Sequence, residues 1–153
     1  MRINMTIENN DIVRVYISGA CTLQTQCGGW GAVLTREGKR IEPSGSARNT
    51  TGNRMFLTAA IQSLSIAQRK NSHKPIIVYT DSHYTIDGIT KHIAGWKQSN
   101  WRKTNRTPVI NADLWQELDS LTQSMNVTWI KSNTANEELI TASALARAAK
   151  PKK

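Results

Sequence analysis

Residues 75–79 read Pro75-Ile76-Ile77-Val78-Tyr79, a short apolar run with no polar alternation. It is too short for a helix and apolar on both faces, as expected of a strand buried between helices. Upstream, residues 53–69 carry Met55, Leu57, Ala60, Ile61, Leu64, Ile66 and Ala67 at helical spacing, with Thr50 or Thr51 placed to cap. Further back, Asp11–Ser18 (DIVRVYIS) predicts a first strand. Gly28-Gly29 signals a turn, and Trp30–Thr35 (WGAVLT) predicts a second strand. Glu37-Gly38-Lys39 predicts a hairpin into a third. Downstream of Asp81 the pattern is helical, cut into short pieces at Gly88 and Gly95. A polar, basic loop follows over 97–110. Asn111 then stands where it can cap a helix running to about Ser124. Val127–Ile130 (VTWI) predicts another strand, and Glu137–Lys150 an Ala-rich last helix. Three meandering strands followed by alternating strand and helix predict an α/β fold, a mixed sheet with helices on it.

The 153 residues fit one domain, taken as 1–150, with a basic tail over 151–153. A hydrophobic share of 39% supports a core and excludes wholesale disorder. No run approaches the roughly 20 apolar residues of a membrane-spanning helix. The opening MRINMTIENND has no apolar signal region, so the expectation is a cytoplasmic protein without a membrane partner. Cys21 and Cys27 are too few for a disulfide framework and are expected to be free thiols. No Cys/His spacing indicates zinc, and neither metal nor cofactor is expected. Lys and Arg number 20 against 11 acids, a net charge of +9. Such an excess points to an anionic partner, nucleic acid first.

The cations concentrate in residues 91–108 (KHIAGWKQSNWRKTNRTP). Lys91, Lys97, Arg102, Lys103 and Arg106 occur there without a single acid, and Trp96 and Trp101 lie among them. Cations bind phosphates, and indole rings pack on sugars or bases. The plainer reading is a solvated polar face around core tryptophans, with Trp96 itself buried. Trp30, Trp115 and Trp129 are expected in the core.

These segments resemble bacterial-type ribonuclease H, in the ribonuclease H-like superfamily, from about Val13 to Ala149. The likeness rests on Gly28–Leu34 (GGWGAVL), Asn53-Arg54-Met55, Leu57–Ile61 (LTAAI), Tyr79–Ser82 (YTDS) and Gly88-Ile89-Thr90. It continues through Trp96-Lys97, Trp101, Pro108-Val109, Asn111, Asp113-Leu114-Trp115 and Leu145–Ala149 (LARAA). The resemblance implies a five-stranded mixed sheet, three antiparallel strands then two parallel, flanked by helices. It also implies cleavage of the RNA strand of RNA–DNA hybrids with two Mg²⁺ ions held by four carboxylates. On that pattern the first aspartate falls at Ser18, the glutamate at Phe56 and the last aspartate at Ser143. The loop histidine falls at Asn133, and only Asp81 keeps its carboxylate. Asp11 is too distant along its strand to substitute, at roughly 23 Å. Glu137 and Glu138 open the last helix, where its dipole explains them.

The expectation drawn from these positions is a catalytically inactive homologue, not an enzyme, that binds RNA–DNA hybrid or double-stranded RNA without cutting it. Such a groove would accept a phosphodiester without Mg²⁺. The alternative is a protein-interaction module or inhibitor on the same fold. Nucleic-acid contacts implied by the resemblance are Cys21, Gln24, Thr50, Thr51, Asn53, Arg54, His83, Trp96, Lys97, Trp101 and Lys103. The basic run adds Arg102 and Arg106. Asp81 has a plain alternative role as helix cap, and Phe56 as core packing.

Overall fold

The computed structural model describes residues 11–71 and 73–151. The opening ten residues and Lys152-Lys153 of the expected tail lie outside that description. Six strands form one sheet: β1 (Val13–Thr22), β2 (Cys27–Arg36), β3 (Lys39–Ile41), β4 (Ser44–Ala47), β5 (Ile76–Thr80) and β6 (Val127–Lys131). The order is β3-β2-β1-β5-β6, with β4 also on β2. β1, β2 and the β3/β4 edge run antiparallel, whereas β5 and β6 lie parallel to β1 and to each other. The mixed α/β sheet predicted from the sequence is therefore present. Its third strand comes in two pieces, interrupted at Glu42-Pro43. Proline has no N–H to donate, and the Pro43 carbonyl takes the Ala32 N–H at 3.0 Å instead.

The helices are α1 (Gly52–Asn71), α2 (His83–Asp87), α3 (Ile93–Gln98), α4 (Ala112–Thr122) and α5 (Glu137–Ala149), with a π-helical turn over Gly88–His92. Thr51 caps α1 by accepting the Arg54 N–H at 3.1 Å. Asn136 caps α5 through the Leu139 N–H at 3.0 Å. Glu137 and Glu138 in its first turn and Arg147 in its last suit the helix dipole. Two cap expectations are corrected. Ser82, not Asp81, caps α2, accepting the Thr85 N–H at 3.1 Å. Asn111 precedes α4 in the left-handed region, φ +63°, and makes no side-chain cap bond. Its amide is engaged elsewhere, as described below.

The main core lies between one sheet face and α1 and α4. It is built on Val15, Ile17, Leu57, Leu64, Trp115 and Leu118, all fully buried. Each such side chain contributes about 1.5–3 kcal/mol by leaving water. A smaller cluster under α5 holds Tyr16, Val33, Leu139 and Ala142, with Tyr79 stacked on Tyr16 at 4.6 Å. Trp30 and Trp115 are core as expected, and Trp129 packs against it half-buried.

Candidate nucleic-acid site

β1 and β5 run side by side in parallel, with Tyr16 opposite Tyr79. Continuing that register brings Ser18, midway along β1, beside Asp81 just past the end of β5. Two backbones close the space around this pair. A Cβ on Gly19 would meet the Phe56 nitrogen at 2.6 Å, so α1 lies directly on β1 here. Ser18 pairs with Gly31 of β2, where a Cβ would meet the Ala142 carbonyl at 2.6 Å, which brings α5 onto the sheet one residue before Ser143. Ser18, Phe56, Asp81 and Ser143 thus border one crevice, where β5 ends beside the middle of β1. Ser18 is buried, and the other three are half-buried. Ser143 accepts a 2.6 Å bond from Arg147. Asn133 is exposed on the loop after β6, its amide oxygen taken by the Ala135 N–H at 2.8 Å. Among the described residues, the Asp81 carboxylate has neither ion pair nor hydrogen-bond partner.

Two divalent ions, which the resemblance implies, need a cluster of anionic oxygens. No group of three or more His, Cys, Asp or Glu side chains gathers among the described residues. Asp11 is paired with Lys74 at 3.6 Å and Glu138 with Arg40 at 2.6 Å, so neither turns toward the crevice. The residues present do not fit a two-ion centre.

The expected duplex contacts divide into three groups. Thr50 is buried and Thr51 exposed at the start of α1, with Asn53 exposed one turn on. Cys21 is half-buried, and its thiol points at the Thr50 carbonyl, 3.4 Å away. Cys27 is buried, and both thiols are free. Gln24 sits on the exposed turn between β1 and β2, and His83 on the exposed first turn of α2.

Arg54 is not a free cation. Its guanidinium makes a two-pronged contact with Asp113, at 3.0 and 2.8 Å, and donates to the Asn111 amide oxygen at 3.1 Å. The hydrogen bonds from Arg54 hold the Asp113 carboxyl below the usual range, and Asp113 in turn raises Arg54. Asn111 completes the clamp by donating to the Tyr84 hydroxyl at 2.9 Å, which also accepts from the Trp115 indole at 3.2 Å. Tyr84 and Asp113 were not singled out as site residues. Their partners lie 27 to 59 positions away, a distance no local pattern reveals.

The third group is the basic arm. Trp96 lies 5.3 Å from Trp115 and 6.2 Å from Trp101, ring centre to ring centre, so the arm is built on a cluster of tilted tryptophan rings. Both arm tryptophans are half-buried rather than fully core or fully exposed. Trp101 adopts φ +63°, a conformation a bulky residue rarely takes. It is held by backbone bonds to Trp96 at 2.7 Å and from Val109 at 2.9 Å. Lys97 pairs with Asp119 at 3.2 Å and Lys91 with Asp87 at 3.6 Å. Arg102, Lys103 and Arg106 face no acid among the described residues; Arg102 donates to the Arg106 carbonyl at 3.1 Å. They are the charges the arm has to offer.

The family model described as RNase H matches residues 10–150. The chain is 44% identical over 119 residues to the Ribonuclease H of Thiobacillus denitrificans, covering 78% of each chain. It is 45% identical over 134 residues to the Ribonuclease H of Francisella philomiragia, covering 86% of this chain and 85% of that one. Among solved structures it is similar to LC9-RNase H1, a type 1 RNase H with the type 2 active-site motif. There the TM-score is 0.78 at 26% identity, over 90% of this chain and 71% of that one. LC11-RNase H1, solved in complex with RNA/DNA hybrid, shares the fold at TM-score 0.70 and 17% identity, over 90% and 95% of the two chains.

These relatives overturn the expectations of an inactive homologue and of a protein that is not an enzyme. Those expectations rest on side-chain type at a handful of positions. The likeness spans most of both chains at 44–45% identity, and the relatives carry the enzyme's name. The family model and the relatives agree over the same span: the chain belongs to the ribonuclease H family.

Proposed function

We propose that this chain takes an RNA–DNA hybrid as its substrate and cuts the RNA strand. Kinship supports the reaction class. The observation that carries the substrate is the clamp of Arg54 on Asp113 and Asn111. It ties the start of α1, with its Thr50-Thr51 pair and the crevice two residues on, to the base of the basic arm. Phosphates of one strand dock at Thr51 and Asn53, which are exposed, with the buried Thr50 holding the turn that presents them. Arg102, Lys103 and Arg106 hold the backbone farther along, while Trp96 and Trp101 stiffen the arm that carries them. Lys97 and Arg54 act as positioning residues, since each is already paired. Cys21, Gln24 and His83 line the approach to the crevice, where an RNA strand is told from DNA by its 2′-hydroxyls.

On the same reading Ser18, Phe56 and Ser143 occupy positions where the resemblance implies carboxylates, and Asn133 the position of a histidine. Asp81 is then the carboxylate on which hydrolysis depends. Cleavage is expected to be slower than by the Thiobacillus denitrificans relative. The assay is a hybrid with end-labelled RNA, incubated with Mg²⁺ and resolved on a denaturing gel. RNA fragments that vanish with Asp81→Asn support the proposal. Intact RNA under conditions where the relative cuts to completion would overturn the enzymatic half. Equal affinity for hybrid and for a neutral competitor would overturn the substrate.

A further inference from the structure

Phe56 is the one phenylalanine in the chain, and the fold places it apart from the apolar residues around it. Spacing of four, seven and eleven residues aligns it along α1 with Ala60, Ser63 and Ala67. Those three are 0%, 0% and 1% exposed. Phe56 opens the same stripe but is only half-buried. Among the described residues it packs against neither hydrophobic cluster and meets no other aromatic ring. The reason is the sheet beneath. β1 passes under Phe56 at Gly19, next to Ser18 and close to the end of β5 at Thr80. Phe56 therefore stands over the middle of β1, beside the crevice at the carboxyl end of the parallel strand β5, the kind of place where open α/β sheets take ligands.

A phenyl ring cannot hold a phosphate. In a duplex the base faces are already stacked, so the apolar surface within reach is the C–H face of a sugar. We propose that Phe56 is a specificity-determining contact, its ring packed against a sugar of the duplex seated in the crevice. The inference rests on the hybrid substrate proposed above.

Because no other phenylalanine exists, growth with 4-fluorophenylalanine labels position 56 alone. The free protein should give one ¹⁹F resonance that shifts between H₂O and D₂O, as a wet ring does. Saturation with a short RNA–DNA hybrid, established by fluorescence anisotropy, should move the resonance and abolish that solvent shift. Phe56→Ala should weaken hybrid binding about fivefold, the loss expected from one ring face of apolar contact. Its melting temperature should stay unchanged, and Phe56→Tyr should restore affinity. A resonance insensitive to solvent in the free protein, or one unmoved at saturation, overturns the inference. So does a Phe56→Ala variant that melts several degrees lower yet binds equally well, since that is the behaviour of core packing. Saturable binding with an unmoved resonance sinks this inference alone; failure of the unlabelled protein to bind hybrid sinks the substrate as well.

Discussion

The crevice where β5 ends beside β1 and the basic arm over residues 91–110 are built in opposite ways. Around the crevice, backbone meets backbone: Gly19 admits α1 and Gly31 admits α5 at distances no Cβ would allow. Its position is fixed by the sheet, and its chemistry is spare, with one carboxylate, Asp81, that has no partner among the described residues. Past α3 the arm has little regular structure. It stands on three tryptophan rings and two backbone bonds at Trp101, and it carries its charge outward. Rigid geometry with little charge faces abundant charge on a side-chain scaffold. Perturbing the arm should change affinity or local stability, whereas removing the Asp81 carboxylate from the crevice should change what happens to a bound strand.

The largest expected effect falls where the two regions share a support. Trp115 is fully buried, bonded to Tyr84 and packed on Trp96. Trp115→Ala should cost about 3–5 kcal/mol in urea denaturation. A loss below about 1 kcal/mol would mean that the arm is not anchored as described. Next comes the arm's charge. Replacing Arg102, Lys103 and Arg106 together by Gln should flatten the plot of log affinity against log salt by about 0.9 per cation that contacts phosphate. Melting temperature should hold, because none of the three faces an acid among the described residues. An unchanged salt slope would remove these residues from the interface.

Arg54→Ala tests the clamp between the regions. Its ion pair is partly solvated, with side-chain exposures of 32% and 65%, so the expected coupling to Asp113 in a double-mutant cycle is about 1 kcal/mol. Zero coupling would reduce the clamp to a contact without energetic weight. The smallest effect is in pH. Arg54 depresses the Asp113 carboxyl, so this group stabilises the fold above its unfolded pKa. That contribution is lost as pH falls through the lower folded value. Asp113→Asn should make the acid limb of the stability profile shallower and leave neutral pH behaviour governed by the lost ion pair alone.

The fold was largely legible in the sequence because its signals are local. PIIVY announced a strand covered on both faces, and the apolar spacing of residues 55–67 announced α1. Gly88 and Gly95 marked the broken helical stretch, which the structure resolves into α2, a π-helical turn and α3. The split third strand was missed because β3 and β4 are short and largely polar, with Pro43 between them as the only cue. The site was legible in its residue types and not in their pairing. Five cations in residues 91–108 looked equally available. Asp119 and Asp87 claim Lys97 and Lys91, and Asp113 claims Arg54 just outside that run. The place of Asn111 in the sequence predicts a cap, yet a left-handed backbone turns its amide to Arg54 and Tyr84 instead. Activity was the hardest to read. Four side-chain identities argued one way, and the kinship of the whole chain argued the other.

The central claim is that an RNA–DNA hybrid bound here is cut and that the cut depends on Asp81. One experiment addresses it directly: single-turnover incubation of labelled hybrid with excess protein and Mg²⁺, comparing the native chain with Asp81→Asn at matched, anisotropy-verified saturation. The account predicts RNA fragments from the native chain and none from the variant, with similar binding by both. Intact RNA from a saturated native complex, or equal cleavage by the two proteins, would contradict it.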